Sequence, residues 1–420
     1  MKEVLLFVKL NPSFKNNMNL ICPHDICTGC QACRLICPKH CITMQEDARG
    51  NTYPVVDESL CIDCNNCQKV CPSLNPPQFS LNPIKVYAGW AKDKSARKYS
   101  TSGGISYVLS KHFLTNGNSF CGVIWTENGA IHKISSDISD VKLFQGSKYS
   151  HSDVKQCYKE IKEILQSDRK VLFTGTPCQV AALRKYLRKD YANLYTVDII
   201  CHGVPSRRVL RDRIHYIENE NGKKVVEMRF RDKQPDQLHT CCKYTFQDGT
   251  YVLHEYSKDF FFRSFVDNYA LRENCFNCQY SKIQRVSDLT IADFWSYQPK
   301  SMKFYHYELG VSILVVNSIK GTELIDLIKD DILYEERKYQ ECANRNMYGP
   351  QIKPSNYEQY WEDYENPSIS KSELQKKYLT SPTPYSPSLT DKLRIFMNAF
   401  LPISLMDSVR NLLKIVRKLK

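Results

Sequence analysis

Residues 27–38 read CTGCQACRLICP, and residues 61–72 read CIDCNNCQKVCP. Both stretches follow one pattern: three cysteines at every third position, a fourth cysteine four positions later, and then a proline. Two copies of the same spacing form an internal repeat. Ten of the 19 cysteines of the 420-residue chain lie between residues 22 and 71, so the repeat dominates the chemistry of this part.

The spacing matches that of bacterial two-cluster ferredoxins, in which the fourth cysteine of each run binds the other cluster. Three thiolates at this spacing wrap one corner of an iron–sulfur cube, and the fourth is carried across to the second cube. Zinc sites lack the third and fourth cysteine at this spacing. We therefore predict one [4Fe–4S] cluster on Cys27, Cys30, Cys33 and Cys71, and a second on Cys61, Cys64, Cys67 and Cys37.

Composition excludes several classes of protein. Apolar residues make up 42% of the chain and charged residues 25%, which is typical of globular domains and argues against disorder. No run approaches the roughly 18 apolar residues of a spanning helix, and the apolar run at residues 4–8 is too short for a secretory signal. We expect a cytoplasmic protein, in which a high cysteine count indicates metal or redox chemistry rather than disulfides.

Residues 100–104, STSGG, precede a predicted helix and follow a predicted strand at 86–90. Small hydroxyl residues and glycines before a helix present backbone N–H groups at its positive end, as a phosphate cradle does. An ordinary helix cap in a flexible turn explains the same pattern. Further on, Lys148 in the turn 145–149 is placed to contact a phosphate or a flavin ring oxygen, or to be a solvated lysine.

Two predicted strand–turn–helix units follow, at 170–187 and 194–219. Thr176 and Pro177 suit the start of a helix, so Cys178 falls in its first turn, where the helix dipole lowers a thiol pKa. Cys201 and His202 follow the second strand. Because ligands of parallel sheets bind at the carboxyl edge, we expect Cys178 and Cys201 to meet there. His202 is a candidate ligand, proton donor or structural turn residue.

Cys275 and Cys278 form a C-x2-C pair. With Cys178 and Cys201 they make four cysteines, which suits a third [4Fe–4S] cluster. The alternative is a nucleophilic Cys178 beside a dithiol. Asp293 ends a further predicted strand and is followed by two aromatic residues, which suits a bound ring or a capped aromatic core. The Rossmann, Walker, nucleophile-elbow and zincin motifs are absent from the sequence.

In this order, the motifs at 102–104, 146–149, 174–179, 201–206, 275–278 and 293–295 resemble the coenzyme F420 (deazaflavin) hydrogenase/dehydrogenase beta-subunit family, with a ferredoxin module fused in front. The resemblance covers residues 22 to about 330. It implies a flavoprotein that binds FAD and a [4Fe–4S] cluster. By motif match, the cofactor contacts are Ser102, Gly103, Gly104, Gly146, Ser147, Lys148 and Asp293, and the body cluster is held by Cys178, Cys201, Cys275 and Cys278.

The expected fold is α+β or α/β: a small two-cluster ferredoxin-like domain followed by a larger α/β flavin-binding body with a mixed sheet. The predicted divisions are an N-terminal extension (1–20), the ferredoxin domain (21–74), a Pro-rich linker (75–84), two parts of the body (85–165 and 166–345), and an extended arm with a basic amphipathic helix (346–420). Residues 391–420 carry seven Lys or Arg and two Asp, which suits either an anionic membrane surface or docking on protein.

The predicted function is electron transfer between the clusters, FAD and a two-electron acceptor or donor. The substrate is a small molecule, such as deazaflavin or a sugar or polysaccharide-pathway intermediate, and the protein partner is an electron carrier such as ferredoxin. Catalytic candidates are Cys178, His202 and Lys148. One alternative is an electron-relay subunit that serves a partner enzyme. A regulatory or nucleic-acid-binding iron–sulfur protein is indicated only by the net charge of +13, without any matching motif, so no nucleic-acid partner is expected.

The remaining cysteines carry no motif. Cys22 and Cys41 are expected to be small buried residues rather than ligands. No role follows from the sequence for Cys121, Cys157, Cys241, Cys242 and Cys342.

Overall fold

The computed structural model describes residues 21–80, 82–233, 240–304, 306–307, 309–342 and 344–379. The predicted N-terminal extension and the basic amphipathic segment 391–420 lie outside these ranges, so both stay predictions. Within the described ranges, no helix is both long and apolar enough to cross a membrane.

The cysteine repeat is also a repeat in the backbone. Its elements are α1 (Ala32–Ile36), β1 (Ile42–Glu46), β2 (Thr52–Val56) and α2 (Asn66–Lys69). Gln31 and Asn65, each two positions before the third cysteine of its run, both adopt the left-handed conformation, with φ of 65° and 56°. Such backbone is uncommon for residues other than glycine. The two cysteine runs therefore enter their helical turns in the same way, and β1 and β2 form an antiparallel pair between them.

The body that follows is built around one large mixed sheet. Its elements are, in chain order, β3 (Lys85–Ala91), α3 (Lys94–Tyr99), α4 (Ile105–Thr115), β4 (Ser119–Thr126), β5 (Gly129–Ser135), α5 (Cys157–Ile164), β6 (Val171–Gly175), α6 (Pro177–Leu187), β7 (Leu194–Ile199), α7 (Arg207–Asn221), β8 (Val225–Lys233), β9 (Thr240–Phe246), β10 (Tyr251–Glu255), α8 (Phe260–Val266), β11 (Leu289–Asp293), β12 (Ser312–Val316), α9 (Ile319–Ile328), β13 (Ile332–Glu336), α10 (Tyr357–Glu365) and α11 (Lys371–Tyr378).

Eight strands make the sheet, in the order β13-β3-β12-β11-β7-β6-β4-β5. The four central strands β4, β6, β7 and β11 run parallel. The outer strands pair antiparallel on both sides. The predicted mixed sheet is confirmed, and its parallel centre brings the carboxyl ends of β6 and β7 to one edge.

Helices cover both faces of this sheet, because alternate residues of a buried strand point to opposite sides. In β6, Val171 and Phe173 pack with the apolar residues of α5 and α6. Leu172, between them, packs with those of α4 and α9 instead. A strand that is buried on both faces has the continuous apolar sequence that predicted it.

The C-terminal part of the described chain differs from the prediction. The sequence predicts an extended arm from residue 346, but α10 and α11 are helices packed on a core with α7, α8 and the three-stranded sheet β8–β9–β10. Tyr357, Tyr360, Trp361 and Tyr364 are buried in that core. Their spacing is that of one helix face. The segment was predicted to be extended because the polar and charged residues between them make its average composition polar.

The ferredoxin-like module lies directly against the body. Its buried residues Cys30, Ala32 and Val70 share one apolar core with α5 and α6. Hydrogen bonds tie the loops as well: Tyr280 donates its hydroxyl to the Pro72 carbonyl at 2.7 Å, and Arg188 donates to Asn66 at 2.9 Å. The contact brings the cysteine repeat close to the loops that follow β6 and β7.

Candidate metal centres and cofactor site

The four motif cysteines of the body line one cavity. Cys178 lies in the first turn of α6, directly after β6, and Cys201 follows β7 in the neighbouring parallel position. Cys275 is held there by the backbone, since Val204 donates its N–H to the Cys275 sulfur at 3.3 Å. We call Cys178, Cys201, Cys275 and Cys278 the body cysteine site.

Burial controls the protonation of these thiols. It raises the pKa of Cys178 to about 12 and that of Cys275 to about 12. It also raises the pKa of Cys201 and of Cys278. The pKa of Cys178 thus lies in the opposite direction from the one expected at a helix start, because burial outweighs the lowering by the Thr176 hydroxyl. As free thiols these groups are neutral, and thiolates here need a positive charge such as a metal centre supplies.

His202 lines the same cavity. Burial lowers its pKa, so the ring is neutral near pH 7. The ring lies edge-on to Phe265, with centroids 4.9 Å apart. Its Nε2 is buried and has no hydrogen-bond partner among the described residues. A neutral, buried ring is a weak proton donor, which leaves the structural and ligand interpretations of His202.

A second cavity lies in the ferredoxin-like module. It is lined by Cys27, Cys30, Cys33 and Cys71, which we call the first cluster site. Cys22 lines this cavity too, and it packs with Cys27 and Cys71 in one buried cluster. The spacing of the repeat gave no sign of this, because Cys22 precedes the first run and belongs to neither copy.

The remaining repeat cysteines meet on the other side of the module. Cys37 packs with Cys61 and Cys67 in one cluster. Burial raises the pKa of Cys67, and the nearby Cys64 and Cys37 raise it further. We call Cys61, Cys64, Cys67 and Cys37 the second cluster site. Cys41 is again an extra thiol, with its sulfur 3.4 Å from that of Cys37. Unlike the first cluster site, this one is partly open, since Cys61, Cys64 and Cys67 are only half-buried.

The first cluster site and the body cysteine site are neighbours. Thr28 lines both cavities. Arg272, three positions before Cys275, donates to the Cys27 carbonyl at 2.9 Å and to the Thr52 carbonyl at 3.0 Å. No motif marks Arg272, and sequence reasoning missed it. In the described part of the chain, no group of three or more His, Cys, Asp or Glu is arranged to hold a single metal ion.

The predicted cofactor residues also converge. The turn before α4 rests on β12: Gly103 donates its N–H to the Ser312 hydroxyl at 3.0 Å. In the sheet, Ser312 pairs with Asp293 across β11 and β12. The 145–149 turn joins them, since the Ser147 N–H bonds the Thr101 hydroxyl at 2.7 Å. We call residues 101–104, 146–148 and Asp293 the turn surface.

Glycine is required in this turn. A side chain at Gly103 would place its Cβ 2.6 Å from the Gly89 carbonyl oxygen, closer than real contacts allow. Gly104 has φ of 86°, the left-handed region that favours glycine. The turn therefore brings its backbone close to β3 and β12 and begins α4 immediately afterwards, as a cradle or a tight cap does.

Basic groups surround the turn surface. Lys233 donates to the Ser102 carbonyl at 2.9 Å, and burial lowers its pKa to about 7. Arg231 pairs with Asp293 at 2.6 Å and lies over the ring of Trp295, 4.5 Å from its centroid. Trp295 is 74% exposed, so its ring is open to a stacking partner. Phe294, the other aromatic of that motif, is buried in the core.

The Lys148 side chain was predicted to contact a phosphate or flavin, or to be solvated, and the structure shows a third arrangement. Its ammonium donates to the Leu143 carbonyl at 3.0 Å and the Gln145 carbonyl at 2.8 Å. Burial lowers the pKa of Lys148 to about 7. The Lys148 side chain therefore closes its own loop in this structure.

Comparison with known proteins agrees with the architecture. Residues 168–341 match the family model for the C terminus of the beta subunit of coenzyme F420 hydrogenase/dehydrogenase, and residues 26–75 match that of the 4Fe-4S dicluster domain. One of the subunits of the F(420)H(2) dehydrogenase from Methanosarcina mazei is 24% identical over 226 residues, which are 49% of this chain and 62% of that protein. The chain thus spans less than two thirds of this relative.

A chain of the F420-reducing [NiFe] hydrogenase complex from Methanosarcina barkeri is similar at 17% identity and a TM-score of 0.44, over 62% of this chain and 84% of that one. The sequence matches confirm the expected resemblance: an iron–sulfur dicluster domain stands in front of a segment related to F420 hydrogenase/dehydrogenase beta subunits.

Proposed function

We propose that this chain is an iron–sulfur flavoprotein oxidoreductase with three [4Fe–4S] clusters and FAD. The starting point is the match to a 4Fe-4S dicluster domain and to an F420 hydrogenase/dehydrogenase beta-subunit segment. The chain moves electrons between the clusters and a small two-electron acceptor or donor. One observation carries the proposal: four cysteines of the body, one buried and three half-buried, line a cavity that shares Thr28 with the first cluster site. This adjacency is what an electron path between two clusters requires.

The residues at the body cysteine site suit a [4Fe–4S] cluster. Its four sulfurs come from three separate loops and line one cavity, and all four thiols have pKa values raised by burial. Beside them lies a buried guanidinium: the Nη1 of Arg272 has no hydrogen-bond partner among the described residues. An anionic cluster would supply the charge that this cation lacks, since buried charges are normally compensated.

The same geometry supports the proposed ligand sets. Cys27, Cys30, Cys33 and Cys71 line one cavity. Cys37 crosses over to join Cys61 and Cys67, as the two-cluster pattern requires. These two sets would hold the clusters of the dicluster domain, and the body cysteine site the third.

The turn surface supports FAD binding. It offers a glycine turn before α4, the cation Arg231 at its edge, and the exposed ring of Trp295. These are groups that bind phosphate and stack on a flat ring. When bound, a flavin links one-electron transfer from clusters to two-electron transfer to a substrate. Arg231 would hold one of its negative groups, and Asp293 would keep Arg231 oriented.

The different exposure of the two cluster sites of the module supports an order for the electron path. The second cluster site is half-open, whereas the first cluster site is buried and adjoins the body. We infer that a protein partner, an electron carrier such as ferredoxin, would dock at the second cluster site, and that clusters held at the two sites of the module would connect it with the body. For the substrate, the names of the related proteins favour a deazaflavin, with a sugar or polysaccharide-pathway intermediate as the other candidate.

The second candidate function is an electron-relay subunit without a substrate pocket of its own. The matched relative is named as a subunit, which favours a protein partner. Turnover of a small acceptor by the isolated chain separates the two functions. Reduction of an acceptor at many cycles per chain supports the enzyme; reduction of the bound cofactors without turnover supports the relay.

A cysteine substitution tests the body cluster. We expect Cys178→Ala to lower the iron content by about four atoms per chain, because a [4Fe–4S] cluster is lost without one of its four thiolates. The matched control is Cys342→Ala, a buried cysteine in an aromatic core on another part of the sheet, which should keep all its iron. Unchanged iron in Cys178→Ala would return the residue to the nucleophile interpretation.

A further inference from the structure

Arg272 is buried in the wall between the first cluster site and the body cysteine site, with 1% of its surface exposed. Its backbone belongs to the body site: the Cys275 N–H bonds the Arg272 carbonyl at 2.9 Å. Its side chain belongs to the ferredoxin-like module, where Nε and Nη2 donate to the carbonyls of Cys27 and Thr52. One residue thus joins a ligand loop of each site.

The third donor of Arg272 lies within this wall. A Cβ added to Gly29 would lie 3.1 Å from Nη1 of Arg272 and 3.0 Å from Cε1 of His151. Nη1 is therefore close to both Gly29 and His151. Gly29 lines the first cluster cavity and His151 lines the body cavity. The guanidinium plane is fixed from a further side by Tyr53, whose ring centroid is 4.2 Å away. These contacts hold the guanidinium charge in one position, between the first cluster site and the body cysteine site.

This charge has no counter-ion in the described protein. No carboxylate of the described residues lies within 4.0 Å of it, and both carbonyl partners are neutral. An unpaired buried cation costs several kcal/mol. Nearby Glu273 does not compensate it, since that carboxylate pairs with Arg49 and Lys353. The remaining partners of suitable sign are anionic clusters at the two sites.

We propose that Arg272 is a positioning residue shared by two clusters: it fixes the spacing of the first cluster site and the body cysteine site, and its charge stabilises the reduced state of both. This rests on the proposed function, because it needs a cluster at each site. Reduction adds one negative charge to a cluster, and a fixed cation beside it favours that step. One side chain should therefore raise two reduction potentials together.

The test is an EPR-monitored redox titration of the full chain. We expect Arg272→Met to keep all its iron and to lower the potentials of two of the three clusters, leaving the second cluster unchanged. Arg272→Gln, which keeps one donor but no charge, should do the same if the methionine variant folds poorly. Arg272→Lys retains the charge and should restore both potentials most of the way, although a lysine cannot reproduce the fork.

Arg337 provides the matched control. It is also buried but is paired with Glu341 at 2.8 Å, and none of its hydrogen-bond partners is a cluster cysteine. Arg337→Met should move no potential. Unchanged potentials in both neutral Arg272 variants, an equal shift of all three clusters, or the same shift in Arg337→Met would overturn the proposal. If the wild-type chain holds no cluster at the body cysteine site, it is the proposed function that fails, and iron analysis shows this first.

Discussion

Gly103 is the residue at which the turn surface has the least room. An added methyl group would meet the Gly89 carbonyl at 2.6 Å and the Ser312 backbone at 2.9 Å. Both contacts are with strands of the main sheet, which cannot move away. The turn would have to shift, and with it the N–H groups at the start of α4.

We therefore expect Gly103→Ala to lower the flavin content several-fold and to leave the iron content unchanged. Overpacking of this kind costs about 1–3 kcal/mol, so a small loss of stability should accompany it. The measurement is the flavin released per chain beside the iron per chain. Gly117→Ala is the control for backbone strain alone: Gly117 has a left-handed φ of 68°, so alanine destabilises there too, but the added Cβ meets no atom within 4 Å. Equal flavin loss in both variants would remove the turn from the cofactor site.

At the scale of residues, the sequence predicted which cysteines lie together but not whether their thiols are protonated. Spacing grouped the cysteines of the repeat, and separate motifs grouped the four body cysteines that line one cavity. The spacing did not predict that Cys22 and Cys41 lie beside them, because neither is in register with the repeat. Nor did it predict the raised pKa of Cys178, since burial depends on residues far away in sequence.

The helix α10 is the element that joins the C-terminal part of the described chain to the ferredoxin-like module. Its Glu358 pairs with Arg49, and the Arg49 guanidinium lies 5.5 Å from the ring of Trp361 and 5.4 Å from that of Tyr357. The neighbouring Arg49 carbonyl accepts a hydrogen bond from Ser206 at the start of α7. The turn after β1 is therefore held from two helices of the body.

Trp361→Ala should destabilise the folded protein by about 3–5 kcal/mol, as the loss of a fully buried tryptophan does. Chemical denaturation followed by far-ultraviolet circular dichroism measures this. The exposed neighbour Glu362 provides the control, and Glu362→Ala should change the stability by less than about 0.5 kcal/mol. A similar small change for Trp361→Ala would contradict the packing of α10 in this core.

Sequence patterns predicted helices and strands well where a single hydrophobic pattern dominates the segment. The strands β6 and β7 and the helices α4 and α6 were expected close to where they are found. The pattern failed for α10, where four buried aromatic residues alternate with charged ones and the average composition is polar. Its partner surface, formed by α7, α8 and β8–β10, is contributed by distant segments that no local pattern identifies.

At the scale of the molecule, the three cysteine sites lie in sequence from the half-open second cluster site to the body. The mixed sheet and the carboxyl edge shared by Cys178 and Cys201 could be predicted, because parallel neighbours are dictated by strand–helix–strand order. The docking of the module onto that edge could not. It depends on Arg272, Tyr280 and Arg188, each an isolated residue whose partner is more than 120 positions away.

The iron and flavin content of the full chain, purified without oxygen, tests the central claim most directly. Three [4Fe–4S] clusters require about twelve irons per chain, and a flavoprotein requires about one FAD. We expect both values in the same preparation. About eight irons would leave the body cysteine site without its cluster, and a chain with no flavin would contradict the proposed oxidoreductase.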